Sequence, residues 1–307
     1  MTATTLLSDA EYARILTARL DEPTALRRAL AGRPRRSLLG ADRRLMILAA
    51  DHTARGMLTV GNDPLAVANR RTLLSRLAQG LDNPQVDGVM ASADILEELA
   101  LLGALDRKLA IGTMNRGGIK GSSWELDDRL TAYDVQHVIS SGLDGGKTLL
   151  RIEPTDAGVA RTIELVGAVT TALADAGVMS LVEPLPYLKD SDGNAYLDPS
   201  EAAMVRAVAI ASGLGSSSAF TWLKIPATAN PHLVAAATTC PILLLGGDVG
   251  NSWEQIFALW KTALAIPNVR GLVPGRALLY PETMDPGTAI NRAAALVHGA
   301  IESGATT

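Results

Sequence analysis

Lysine is scarce in this chain. Of 28 basic residues among 307, six are Lys and 22 are Arg, so the position of each lysine carries information. Lys224 lies within Trp222-Leu223-Lys224-Ile225, an apolar run whose ammonium would project from a sheet position into a site with apolar walls. Burial there disfavours the charged form and frees an amine to attack a carbonyl. The bland alternative is a strand-end lysine that snorkels to water or pairs with an acid. Glu183 closes the run Met179–Glu183 just before Pro184; it is an acid suited to moving the protons of imine chemistry, or a structural partner for a lysine. Lys147 precedes Thr148–Ile152. Inside a site it would make it harder for Lys224 to hold its proton, but spacing alone favours a loop lysine entering the strand at the wrong end for chemistry. Asp51 follows the first apolar run and suits either a substrate hydroxyl or an Asx-turn. His52 beside it reads equally as a site residue or a packing one.

Eight apolar runs would carry these residues: Leu45–Ala50, Val86–Ala91, Leu109–Thr113, Thr148–Ile152, Met179–Glu183, Phe220–Ile225, Ile242–Leu245 and Val269–Val273. Their starts lie about 22 to about 41 residues apart, room for a helix and two loops each time. Runs apolar on both faces and alternating with helical segments imply parallel strands covered by helices. Eight such units predict one (β/α)8 TIM barrel over residues 44–307, preceded by a helical extension over residues 1–43 that caps the barrel bottom or meets another subunit. Helix starts are predicted at Asp63-Pro64 and at Asp198-Pro199-Ser200-Glu201, with a stop at Gly213 and Gly215.

Reactive groups of such barrels gather at the carboxyl ends of the strands. Besides the residues above, those ends hold Arg116 after the third run, Arg151 within the fourth, Gly246-Gly247 after the seventh and Gly275-Arg276 after the eighth. Glycines that let backbone N–H groups approach, followed one strand later by an arginine, suit a phosphate.

The composition excludes several classes. Net charge is −4, and the basic cluster from Arg27 to Arg44 is broken by apolar residues, so no nucleic-acid partner is expected. The N-terminus lacks a basic flank and apolar centre, and no apolar stretch of membrane length is evident, so the expected setting is the cytoplasm. Cys240 stands alone, and the four histidines show no ligand spacing with acids, so no thiolate cluster or zinc site is expected.

The runs GGKTLLRIEP, LVEP, WLKIPAT, ILLLGGDVG and GLVPGRALLYP follow strand order between Leu45 and Pro281. Together they resemble the class I aldolases of the tagatose-bisphosphate type and, more distantly, archaeal-type fructose-bisphosphate and deoxyribose-phosphate aldolases. That resemblance implies a metal-independent and cofactor-free lyase that forms a Schiff base on Lys224, with Glu183 as acid/base. It makes Lys147 the second active-site lysine against the spacing argument, Asp51 the first-strand aspartate and Arg276 the phosphate arginine. It also implies a sugar-phosphate substrate and assembly into a homo-oligomer. Two positions depart from the pattern: Thr53 stands where an arginine is expected and Gly246 where a serine is expected. A second phosphate is thereby put in question, with Arg55, Arg116 and Arg151 as the available substitutes. The chain is also similar to an actinobacterial barrel subgroup associated with inositol breakdown, which implies 2-deoxy-5-keto-gluconate 6-phosphate as substrate and dihydroxyacetone phosphate as a product. Two rival readings use the same residues: a non-covalent isomerase or epimerase working through Glu183 and Asp51, and a sugar-phosphate sensor without catalysis.

Overall fold

The structure is a computed structural model that describes residues 6–246 and 252–299. Its strands are β1 (Leu45–Ala49), β2 (Gly88–Ala91), β3 (Leu109–Thr113), β4 (Gly145–Ile152), β5 (Met179–Lys189), β6 (Ala195–Leu197), β7 (Thr221–Ile225), β8 (Ile242–Leu244) and β9 (Val269–Leu272). The helices are α1 (Asp9–Asp21), α2 (Pro23–Gly32), α3 (Arg70–Leu81), α4 (Ala93–Leu101), α5 (Val135–Ser140), α6 (Ala157–Asp175), α7 (Glu201–Ser212), α8 (Pro231–Ala235), α9 (Trp253–Leu264), α10 (Arg276–Leu279) and α11 (Pro286–His298). All strands but β6 pair in parallel in the order β4-β3-β2-β1-β9-β8-β7-β5, and β4 meets β5 to close the ring. The expected (β/α)8 barrel is therefore the observed fold.

Alternation along each strand decides which residues enter the barrel. Leu45, Ile47 and Ala49 pack inward with Ile111, Met179, Leu181, Trp222 and Leu243. Met46, Leu48, Ala110, Val182 and Leu223 instead join the layer beneath the helices. A side-chain period of two then aims Lys224 inward two residues after Trp222, and Glu183 inward two after Leu181. Leu38 and Leu39 pack against the inward cluster from below, so the barrel bottom is plugged by the segment before β1. The two N-terminal helices do not cap it: α2 lies on α4, and Arg19 of α1 bonds Glu98 of α4. A capping box between Ser8 and Glu11 starts α1.

Five local expectations need correction. First, β4 begins at Gly145 rather than Thr148, so Lys147 is a strand residue with no exposed surface. The glycine pair that reads as a loop is demanded by packing, because a Cβ on Gly146 would sit 2.6 Å from the Met114 sulfur. Second, β5 does not end at Glu183; it runs on through Pro184 and Pro186 to Lys189 and turns back as β6. The Pro186 carbonyl accepts from Asp198 on the side away from β4, so the missing prolyl N–H groups face that side and the β4 ladder is intact. Third, Asp63 forms a turn by accepting from Leu65 N, and Asn69 is the residue that caps α3. Fourth, α6 is long and apolar enough by composition to cross a membrane, yet its Val166, Val169 and Leu173 are buried in the core layer beneath the helices. Fifth, before α7, Ser200 rather than Asp198 supplies the cap, and Gly213 ends the helix as expected.

Candidate active site

At the carboxyl end of the barrel, strands β1, β4, β5 and β7 bring four charged side chains into one chain of contacts. Lys224 Nζ lies 2.8 Å from Glu183 Oε1, and Lys147 Nζ lies 2.5 Å from Glu183 Oε2. Lys147 also lies 3.3 Å from Asp51 Oδ2, which accepts from Thr113 Oγ1 at 3.2 Å and faces Arg116 Nη1 at 3.3 Å. All five charged groups are buried. Buried charges persist only when paired, and here each acid is shared by two cations.

The electrostatics follow from that sharing. Burial works to raise Glu183, but Lys147 and Lys224 outweigh it and hold its carboxyl at about 2. Asp51 is likewise raised by burial and pulled well below the usual carboxylate range by Arg116, Lys147 and Lys224. Burial brings Lys147 down to about 8, against the opposing pull of Asp51 and Glu183. His52 falls to about 3, through burial first and then the cations Arg276, Lys224 and Arg116, so it is neutral at physiological pH.

Above the cluster is a cavity of about 270 Å³. Its wall includes Asp51, His52, Arg55, Arg116, Glu183, Lys224, Gly246, Gly275 and Arg276. Lys147 supports the wall from behind. Gly275 lets the chain pass close to its neighbours, since a Cβ there would meet His52 Cε1 at 2.5 Å and the Ala49 carbonyl at 2.6 Å. Arg276 opens α10 and donates to the Thr59 carbonyl at 2.8 Å. Gly247 lies outside the described residues. A larger hollow of about 640 Å³ opens beside Trp222, Pro241 and Pro267, at the entry ends of β7, β8 and β9, away from the charged cluster.

Besides Lys147 behind the wall, Arg151 is a site candidate that the structure does not bring to the cavity. Its guanidinium is taken up by Asp128 at 2.9 and 3.0 Å, by Glu125 Oε1 at 3.1 Å and by the carbonyls of Gly118 and Glu125. Of the three substitutes for the missing arginine, Arg55 and Arg116 line the cavity and Arg151 braces the loop between β3 and α5. Tyr187, Leu185 and Leu197 also line it; the sequence does not single them out, because its apolar run closes before Pro184 whereas the strand continues to Lys189 and turns back as β6. The signal was present: Leu185 and Tyr187 continue the inward series Met179, Leu181, Glu183. Among the described residues no three His, Cys, Asp or Glu side chains converge to hold a metal, and both acids of the cavity face cations instead.

Comparison with known proteins agrees with this architecture. A solved protein of Corynebacterium glutamicum (Brevibacterium flavum), Cgl0159, is 43% identical with a TM-score of 0.92, over 95% of this chain and 98% of its own. An archaeal fructose 1,6-bisphosphate aldolase shares the fold at 19% identity and a TM-score of 0.64, over 90% of this chain and 100% of its own. Another archaeal fructose-1,6-bisphosphate aldolase, solved with its catalytic lysine covalently bound to the carbinolamine intermediate, is 17% identical with a TM-score of 0.60 over 89% of this chain and 99% of its own. No curated protein sequence matches the chain. The Cgl0159-like family profile matches residues 43–294, and the chain belongs to the Cgl0159-like family.

Proposed function

We propose that the protein is a class I aldolase in which Lys224 forms a Schiff base with a phosphorylated ketose or keto-sugar acid. The observation that carries this reading is the 2.8 Å contact between Lys224 Nζ and Glu183 in the wall of an anion-compatible cavity. The Lys224 ammonium passes a proton to Glu183, 2.8 Å away, and the amine so freed attacks the carbonyl carbon and gives a carbinolamine. Glu183 protonates its hydroxyl, which leaves as water, and a protonated imine remains. Glu183 can gain that proton because the carbinolamine nitrogen is uncharged, which removes one of the two cations that hold the carboxyl down. A base, Glu183 or Asp51, then takes the proton from the hydroxyl on the carbon beyond the bond to be broken. The C–C bond pair flows into the imine as an enamine, and an aldehyde departs. Protonation and hydrolysis of the enamine release the second product and restore Lys224. Lys147 returns both carboxylates to the ionised form between proton transfers, while Arg276, Gly275 and Gly246 receive the phosphate.

Support comes from the fold shared with the fructose-bisphosphate aldolases and from the lysine–glutamate–lysine contacts. The proposed product is dihydroxyacetone phosphate, and 2-deoxy-5-keto-gluconate 6-phosphate is the proposed substrate; the inositol link rests on the sequence resemblance alone. The proposed setting is the cytoplasm.

Borohydride added together with a panel of ketose phosphates should leave a stable adduct that mass spectrometry maps to Lys224. Lys224→Met should lose the adduct and about a thousandfold or more of turnover. An absence of adduct with every ketose phosphate, or turnover retained in Lys224→Met, would sink the aldolase reading; the second outcome would favour a non-covalent isomerase.

A further inference from the structure

We infer that Arg55 binds a second anionic group of the substrate, across the cavity from Arg276, and that Glu125 and Arg151 position it. The inference rests on the aldolase reading only for the place of the carbonyl between the two ends.

Arg55 follows β1 in a short helical turn, Thr53–Arg55, yet its head group reaches the far side of the barrel mouth. Its Nε donates to the Gly118 carbonyl at 2.9 Å, and its Nη2 lies 3.5 Å from Glu125 Oε1. Both partners belong to the loop between β3 and α5, which Arg151 of β4 braces. Arg276 follows β9, whereas the loop that Arg55 bonds follows β3, three strands away in the ring, and is braced from β4; β7 with Lys224 lies midway between β4 and β9, and both arginines line the cavity with Lys224. A substrate with its carbonyl at Lys224 would therefore extend an arm toward each arginine.

The charges on the Arg55 side are unbalanced. Arg55, Arg116 and Arg151 crowd together, and the acids there are already committed: Asp51 to Arg116 and Lys147, Asp128 to Arg151, Glu125 to Arg151 at 3.1 Å. Arg55 is only 6% exposed and lines the cavity, and its Nη1 reaches only the Met57 sulfur, 3.8 Å away, among the described residues. Burial and the neighbouring guanidinium groups of Arg151 and Arg116 bring it down to about 10. A buried guanidinium so poorly compensated is completed by a ligand anion, and its planar fork suits the paired oxygens of phosphate or carboxylate alike. Packing locks this arrangement, because a Cβ on Gly118 would fall 2.2 Å from Arg151 Nη2.

Calorimetry with three probes tests it: fructose 1,6-bisphosphate with two phosphates, 6-phosphogluconate with phosphate and carboxylate, and dihydroxyacetone phosphate with one phosphate. At least one doubly anionic probe should bind about tenfold more tightly than dihydroxyacetone phosphate, and which one gains identifies the second group as phosphate or carboxylate. That advantage should vanish in Arg55→Met, shrink in Glu125→Gln and survive in part in Arg55→Lys, which keeps the charge without the fork. Circular dichroism confirms folding, and Arg55→Lys carries the test if Arg55→Met does not fold. No advantage in the unaltered protein, or an advantage that persists in a folded Arg55→Met or undiminished in Arg55→Lys, overturns the proposal. Borohydride trapping with dihydroxyacetone phosphate separates the two readings. An adduct at Lys224 without the second-anion advantage sinks the role of Arg55 alone, and the advantage without an adduct sinks the aldolase alone.

Discussion

His52 shows how burial at a single residue sets a pH dependence. Unfolded, it would take up a proton near its ordinary value of 6.5; folded, it does so only at about 3. Between those values the unfolded chain binds more protons, so stability falls as pH drops from 6.5 toward 3. Glu183 adds a second loss in the same direction. Its contribution is full above its ordinary 4.5 and disappears as pH falls toward 2. His298 moves the other way: burial opposes its charge, but hydrogen bonds to Asp87 and Asp42 raise it above 6.5. Its contribution is complete below pH 6.5 and is lost as pH rises through its folded value, so it leaves the lower window clear. Chemical denaturation at pH 6.5, 5.5 and 4.5 should show stability declining in the unaltered protein and a flatter profile in His52→Asn. Equal slopes in the two proteins would mean that His52 is not held neutral.

At the scale of elements, the turn from β9 into α10 fixes the proposed phosphate end. Gly275 brings the backbone against His52 and Ala49 with no room for a Cβ, as the 2.6 Å approach to a backbone carbonyl shows. Gly275→Ala must shift the start of α10 and with it Arg276. The expected result is a loss of about 1–3 kcal/mol in stability from overpacking, and a KM increase for phosphorylated substrate larger than any change in kcat. Unchanged KM and melting temperature would show that the turn adapts freely. The β5–β6 hairpin works differently: it carries Tyr187 and Leu197 over the mouth of the cavity, beyond the strand's barrel portion.

For the whole molecule, the division between a stabilising exterior and a reactive carboxyl end makes a separable prediction. Helices α1 and α2 bury Ile15, Ala18, Leu26 and Leu30 along the flank of the barrel, far in the fold from the Lys224 cluster. Removing residues 1–32 exposes the surface of α4 and should lower the melting temperature by about 10 °C or more, given the apolar area uncovered. Borohydride trapping at low temperature should still label Lys224. Loss of trapping in a truncated protein that remains folded would tie the helices to the site itself.

By itself the sequence determined the barrel and the strand-end residues, because eight apolar runs separated by helices leave parallel strands little choice but to be covered and closed. It singled out Lys224 by its apolar flanks and Glu183 by its place at the close of an apolar run before proline. What it left undecided was long-range. Whether Lys147 stood in a loop or a strand depended on Met114 crowding Gly146, and the continuation of β5 past Pro184 depended on the prolyl nitrogens facing away from β4. Which arginine met the cavity depended on the loop between β3 and α5, whose Asp128 and Glu125 hold Arg151 away and leave Arg55 facing inward. Local patterns specify which face a side chain takes; only packing between distant segments specifies what it meets there.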